Sequence, residues 1–338
     1  MELRDAIARV VERRHLEAAE MEAVMRAIIQ GQATPAQIGG LLVALRMKGE
    51  TVDEITGAVR ALRSEARRIQ PRAAVVVDTC GTGGDRSGTF NISTATAFVV
   101  AGAGLTVAKH GNRAMSGSVG GADVLEACGV NLDLAPERVA ACIDEVGIGF
   151  LFAQVFHPAM KYAAGPRREL GVRTLFNLLG PLSNPAGARH QVVGVFAPEW
   201  VEPLAYALGE LGSAHALVVH SDDGLDEISL AAGTTVAEWH GGQVRSFRLT
   251  PEECGLARCY LTDLRGAATA AAAGEILRQV LDGTPGPRLE VVLLNAAAAI
   301  YAGDRAPSVR AGLALAREAV ASGRARAKLE ALVRFTQA

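Results

Sequence analysis

The stretch Val75 to Thr94, VVVDTCGTGGDRSGTFNIST, sets the terms for the rest of the chain. Val75, Val76 and Val77 are a short β-branched run, the composition of a strand buried on both faces of a parallel sheet. Gly81, Gly83 and Gly84 follow, removing the side chains that would keep backbone N–H groups away from an oxyanion. Asn91, Ser93 and Thr94 then stand before Ala95 to Ala101, which reads as a helix. A strand, a glycine loop and a polar helix start predict an anion site with free N–H donors and a favourable dipole end. Glycine loops also join strands to helices in proteins that bind no phosphate, so the neighbours must decide. No Gly-Lys-Ser/Thr follows as in a P-loop, and G-T-G-G-D is not the dinucleotide fingerprint. Asp85 would repel a bare phosphate, so the pattern suits a sugar phosphate that carries magnesium.

A chain of 338 residues has room for roughly two domains. Hydrophobic residues make up 49% but aromatics only 4%, so the core is built from Ala, Val and Leu, as in helices packed on a sheet. A net charge of −2 offers no broad positive field, which argues against a nucleic-acid polymer or an anionic membrane as partner. Five cysteines without a C-x-x-C pair indicate neither a disulfide framework nor a zinc ribbon and point to reduced thiols in the cytoplasm. The start, MELRDAIARVVERRHLE, has no apolar signal core, and no segment of bilayer length is free of charge.

Residues 2 to about 68 read as all-helical. Thr34 before Pro35 supplies an N-cap and an N1 proline, and Thr51-x-x-Glu54 is a capping box. Gln70-Pro71 ends this region. From Ala73 strands and helices alternate, with strands expected at Val75 to Val77, Leu105 to Ala108, Gly149 to Phe152, Val192 to Phe196, Ala216 to Val219 and Val291 to Leu294. Pro136 to Val146, Glu199 to Leu211, Ala267 to Ala273 and Arg310 to Phe335 read as helices, and Val236 to Leu249 as a hairpin around Gly241-Gly242. The alternation implies an α/β fold with a mostly parallel central sheet flanked by helices, and ligands at the carboxyl ends of its strands.

Lys109-His110-Gly111-Asn112-Arg113 follows the second strand and leads to a second glycine-rich loop, Ser116 to Gly121. Alone it is a basic surface turn; beside the first loop it can grip a second phosphate. Asp222-Asp223-Gly224-Leu225-Asp226-Glu227 gathers four carboxylates at the same sheet end, where one or two suffice for magnesium, which keeps phosphates and waters in its shell. Arg167, Arg168 and Arg173 are each a candidate fork for a substrate carboxylate or an ordinary salt-bridge partner. His15, His190, His215, His220 and His240 read as structural or exposed. No G-x-S-x-G elbow or His-x-x-x-His pair is present, so serine chemistry and zinc hydrolysis have no foothold.

GTGGD (Gly81 to Asp85), NIST (Asn91 to Thr94), KHGNR (Lys109 to Arg113), RTLFNLLGPL (Arg173 to Leu182) and DE (Asp226, Glu227), in this order over nearly the whole chain, resemble the anthranilate phosphoribosyltransferases. The resemblance implies transfer of phosphoribose from phosphoribosyl pyrophosphate to anthranilate with Mg²⁺, in tryptophan biosynthesis. It implies a helical domain at 1–70, with a helical contribution from about 165–185, for dimerisation and the anthranilate side, and a donor-binding α/β domain at 71–338. It implies donor contacts at Gly81, Gly84, Asp85, Thr89, Asn91, Ile92, Ser93 and Thr94, and along Lys109, His110, Gly111, Asn112, Arg113, Ala114, Met115, Ser116 and Gly117, with Gly121 beyond. Ser93, Asp226 and Glu227 match its metal positions, and Gly81, Asn112 and Arg167 its anthranilate contacts. Lys109, His110 and Arg167 are expected to carry the chemistry, His110 as a late proton acceptor or a wall of the aromatic pocket. Gly117 and Gly121 stand where many members have serine.

Two rival readings remain. Pyrimidine nucleoside phosphorylases also attack an anomeric carbon, but KHGNR and RTLFN fit them poorly. A non-catalytic relative that binds nucleic acid is disfavoured by the charge of −2 and by the acidic run.

Overall fold

The computed structural model describes residues 1–85, 87–113 and 119–338. Its N-terminal part is helical: α1 (Leu3–Val11), α2 (Ala18–Ile29), α3 (Pro35–Lys48) and α4 (Val52–Glu65). The caps fall where the side chains demand them. The Thr34 hydroxyl accepts from the Gln37 N–H ahead of Pro35, and Thr51 and Glu54 close a reciprocal box. Glu54 also ties the bundle internally, accepting from the Leu16 N–H at 3.0 Å and from buried Lys48 at 2.9 Å.

The chain then enters the α/β region with β1 (Val76–Asp78), α5 (Ile92–Gly102), β2 (Thr106–Gly111), α6 (Gly121–Ala127), α7 (Pro136–Val146), β3 (Ile148–Phe152), α8 (Ala153–Phe156), α9 (Lys161–Leu170) and α10 (Phe176–Leu182). It continues through β4 (His190–Gly194), α11 (Val201–Glu210), β5 (His215–Ser221), β6 (Thr234–His240), β7 (Gln243–Leu249), α12 (Ala270–Leu281), α13 (Pro287–Ala302), α14 (Val309–Ala321) and α15 (Arg324–Gln337). The sheet order is β3-β2-β1-β4-β5-β6-β7, parallel from β3 to β5 and antiparallel through β6 and β7.

Strand alternation divides the core. Val192, Leu217, Val219 and Val236 face a layer made by α5 and α12 to α15, while Val193, Ala216, Val218 and Ala237 face the other side. On that other side the apolar cluster does not stop at the covering helices. It runs through Leu179 of α10 and Leu204 of α11 into Met21, Leu42 and Val59 of the helical bundle. No helix among the described residues is long and apolar enough to cross a membrane.

Two expectations are corrected. Val291 to Leu294 is no strand but the middle of α13, whose run is buried on every side and so shows no polar face to reveal its helical period. Arg310 to Phe335 is two helices, because Gly323 turns left-handed (φ 74°) between α14 and α15.

Candidate active site

β1 lies between β2 and β4, so the chain leaves the sheet in opposite directions on either side of it, and the crevice for a ligand opens at the carboxyl ends of β1 and β4. The glycine loop follows β1 there. Gly83 and Gly84 adopt positive φ (66° and 75°), which turns the loop back over β4. The Thr82 N–H donates to the Gly194 carbonyl at 2.8 Å, and the Phe196 N–H to the Thr82 hydroxyl at 3.0 Å. Gly194 itself has no room for a side chain, since a Cβ would stand 1.5 Å from the Asp226 carbonyl oxygen. Strand β4 therefore carries both the glycine loop and the acidic turn.

The expectation of free donors in this loop is only partly met. The Gly83 N–H donates to Asp226 Oδ2 at 2.8 Å, and the Ser93 N–H, in the first turn of α5, to Glu227 Oε1 at 3.1 Å. The acidic turn thus caps the loop and the helix start. Burial raises the pKa of both carboxyl groups, and their mutual repulsion with Asp85 raises them further. Asp85 Oδ2 is buried with no hydrogen-bond partner among the described residues. Three crowded carboxylates beside a serine hydroxyl are a hard-oxygen donor set that suits a cation such as magnesium.

Lys109 and His110 lie within β2, not after it, and so are fixed by the ladder. Lys109 is buried, with Nζ donating to the Thr79 carbonyl at 3.0 Å and the Ser93 hydroxyl at 3.3 Å. Asp78 ends β1 beneath it. Burial pushes the Asp78 carboxyl up to about 6, against the pull of the Lys109 charge and of hydrogen bonds from Asn184 and the His110 N–H. Asn184 Nδ2 bridges Asp78 (2.7 Å) and the Ala108 carbonyl (2.9 Å), locking β1 to β2 under the site.

On the bundle side, α10 organises a second set of groups. His110 Nδ1 faces the Gly180 carbonyl at 3.0 Å, so Nδ1 carries the proton and Nε2 holds a lone pair. The His157 ring lies 5.1 Å away, held by the Ser183 backbone. Both Nε2 atoms are buried without a partner among the described residues. Burial lowers His110 to about 3, with His157 contributing, and lowers His157 to about 4, so both imidazoles are neutral. Arg167 in α9 sits 5.0 Å over the Phe176 ring, half-buried, with no hydrogen bond or carboxylate among the described residues. Arg173 instead serves the loop, reaching the Gly84 carbonyl while packing 4.3 Å over Phe196, and Arg168 is exposed.

The structure gathers Gly81, Gly84, Asp85, Ser93, Lys109, Asp226 and Glu227 around the switch point. Thr94 is buried behind them against Gly121, where a Cβ would stand 2.9 Å from its hydroxyl. Ile92 points into the core, so only its backbone is available. Thr89 bridges to Arg265, and the Asn91 amide donates to the Val119 carbonyl at 2.9 Å. Asn112 is exposed, while Arg113 pairs with Asp123 at 2.9 Å and with Glu126. Ala114, Met115, Ser116 and Gly117 lie outside the described residues. Asp78, Asn184 and Gly194 escaped the sequence reading; a lone glycine in the strand pattern VVGVF was the available signal for close backbone approach. Among the described residues, the one trio of donors close enough to hold a metal ion by itself is His215, His240 and Asp304, at the other end of the sheet.

A family model described as "Glycosyl transferase family, a/b domain" matches residues 73–326, and one described as "Glycosyl transferase family, helical bundle domain" matches 4–66. The chain is 58% identical to the anthranilate phosphoribosyltransferase of Thioalkalivibrio sulfidiphilus over 99% of both chains. It is 54% identical to that of Methylococcus capsulatus, covering 100% of this chain and 98% of the relative. Among solved structures, the Thermus thermophilus anthranilate phosphoribosyltransferase superposes with a TM-score of 0.94 at 47% identity, covering 99% of this chain and 100% of that one. The Saccharomyces cerevisiae enzyme in complex with PRPP and Mg gives 0.91 at 26% identity, over 99% and 98%. With site, fold and near-full-length identity in agreement, the chain belongs to the anthranilate phosphoribosyltransferase family of glycosyl transferases.

Proposed function

We propose that this chain transfers the 5-phosphoribosyl group of phosphoribosyl pyrophosphate to the amino group of anthranilate, releasing pyrophosphate, in tryptophan biosynthesis. The observation that carries the reading is Arg167, a half-buried guanidinium without a partner among the described residues, set across α10 from two neutral imidazoles with open Nε2 atoms. A planar aromatic acid answers all of these groups at once: its carboxylate pairs with the guanidinium and its amine meets an imidazole lone pair.

In the reaction the amine nitrogen forms a bond to the anomeric carbon, the bond from that carbon to pyrophosphate breaks, and the nitrogen gives up one proton. Positive charge grows on the ribose and negative charge on the leaving group, so electrostatic stabilisation outweighs strong base catalysis. The aniline-type lone pair is already free, and His110, too weak a base to hold a proton at neutral pH, orients the amine and passes its proton on. Lys109 and the backbone of the glycine loop face the donor phosphates. Asp226, Glu227 and Ser93 would hold Mg²⁺, which when bound supplies charge neutralisation for the pyrophosphate. Residues 1–70, with 165–185, form the anthranilate side and the dimer contact, for which the exposed apolar Val11 and Met47 are suited. A cytoplasmic setting suits the five free cysteines.

The test is loss of anthranilate fluorescence on mixing the protein with phosphoribosyl pyrophosphate and Mg²⁺. No loss with all three present, or phosphorolysis of thymidine instead, overturns the proposal.

A further inference from the structure

A second polar group lies at the opposite end of the sheet and takes no part in the chemistry above. His215 opens β5, His240 closes β6 directly across the antiparallel ladder, and Asp304 occupies the turn after α13. One donor atom of each lies within 4.8 Å of a donor atom of the other two. Strand β5 runs from His215 to Ser221, whose hydroxyl donates to the Glu227 carbonyl. About 20 Å of strand therefore separates this trio from the acidic turn, and no bound phosphate is shared between them.

The surroundings of His215 are unusual. Its ring is buried, yet both nitrogens face carboxylates: Nε2 lies 3.0 Å from Glu238 Oε1, and Nδ1 lies 2.8 Å from Asp304 Oδ1. Glu238 is itself fixed by the Tyr301 hydroxyl and by Arg245 at 3.1 Å. A neutral imidazole has one N–H, and the buried, doubly anchored Glu238 claims it. The Nδ1 lone pair is then aimed at a carboxylate oxygen, a repulsive contact unless a cation or a second proton lies between them. A ring that gives one N–H to a carboxylate and turns the other nitrogen to an anionic oxygen has the arrangement of a metal-bound histidine.

We propose that His215, His240 and Asp304 bind a divalent cation of the zinc, cobalt(II) or nickel(II) class, which clips the β5–β6 edge to the turn after α13. Imidazole nitrogens with one carboxylate select this class over magnesium, which prefers oxygen alone. The His215 and His240 rings are stacked, with centroids 4.3 Å apart and planes 24° from parallel, whereas a cation lies in the plane of each ring that binds it. His240 must turn to complete the set. It is exposed at the strand end and makes no hydrogen bond among the described residues, so nothing holds it in the stack except the ring contact.

The experiment titrates the full chain, stripped of metal and held in excess Mg²⁺ to saturate the oxygen site, with Co²⁺ followed by visible absorption and with Zn²⁺ followed by calorimetry. One ion per chain is expected, together with a rise in melting temperature. His240→Ala and Asp304→Asn should each weaken binding by about tenfold or more and abolish the thermal shift, while turnover with Mg²⁺ stays unchanged. The proposal is overturned if Co²⁺ and Zn²⁺ do not bind, or bind both variants as tightly as wild type, which would place them on cysteines or scattered histidines. It is equally overturned if the metal-exposed protein shows His215 carrying protons on both nitrogens by ¹⁵N NMR near neutral pH, the signature of an imidazolium bridging two carboxylates.

Discussion

Gly194→Ala should disable the site from behind without touching any group that contacts substrate. The added Cβ would lie 1.5 Å from the Asp226 carbonyl oxygen and 2.4 Å from its carbon. To reach even 3.0 Å the acidic turn must retreat by about 1.5 Å, because Gly194 is held on its other side by the β4–β5 ladder. Asp226 and Glu227 move with that turn, and with them the contacts to Gly83 and Ser93. A misplacement of about 1 Å in a catalytic constellation costs on the order of 100-fold in rate, or about 2.7 kcal/mol of transition-state stabilisation. Overpacking costs about 1 to 3 kcal/mol in stability, which a chain of this size survives at 25 °C. Fluorescence kinetics with both substrates saturating, repeated over a Mg²⁺ titration, should show a fall of that order in turnover and a higher Mg²⁺ requirement, with circular dichroism unchanged. A variant within about threefold of wild type at ordinary Mg²⁺ would refute the claim that β4 holds the acidic turn in its working position.

Four further outcomes are expected. Arg167→Ala should raise the anthranilate KM by about 1.5 to 3 kcal/mol equivalent and leave the donor KM and melting temperature nearly unchanged, since no internal partner is lost; equal damage to both constants would make Arg167 a structural residue. Asp226→Asn with Glu227→Gln should abolish turnover yet raise the melting temperature at pH 8, because it removes two carboxylates that burial and mutual repulsion make costly to ionise; a lower melting temperature would count against it. Both folded-state pKa values lie above the unfolded ones, so the metal-free protein should lose stability as pH rises from about 4 through the raised values, and Mg²⁺, competing with those protons, should stabilise more at pH 8 than at pH 6, as thermal melts would show. Gly121→Ser meets no positive φ but crowds the Thr94 hydroxyl at 2.9 Å; donor affinity should change by less than about tenfold, within one neutral hydrogen bond, with a modest drop in melting temperature.

Much of this molecule was legible because its signals are local. The Val75 to Val77 run, the glycines after it and the Thr34 and Thr51 caps each act through neighbours a few residues away, and the structure places them as read. The resemblance added what locality cannot, that KHGNR and the acidic pair meet across the sheet. The misreadings occur where burial erases period or where a contact is long-range. Val291 to Leu294 has apolar neighbours on every side, so neither the two-residue nor the 3.6-residue period is visible in it. Asp78 and Asn184 are separated by 106 positions and act only as a pair. The donors of the glycine loop looked free because nothing in the local sequence says that Asp226 and Glu227 will fold back onto them.

One apolar cluster runs unbroken from Met21 and Leu42 through Leu179 and Leu204 to Val193 and Val218. Peeling the bundle from the sheet would return that face to water at about 25 cal/mol per Å², so bundle and sheet stand or fall together. Calorimetry is therefore expected to register a single cooperative transition for the whole chain, and an excised bundle would have nowhere to bury its inner face. The same linkage makes stabilisation communal. A pyrophosphate that touches only the strand ends should slow hydrogen exchange in α2 and α4, because amides that open only with the whole chain are protected by whatever holds any part of it closed.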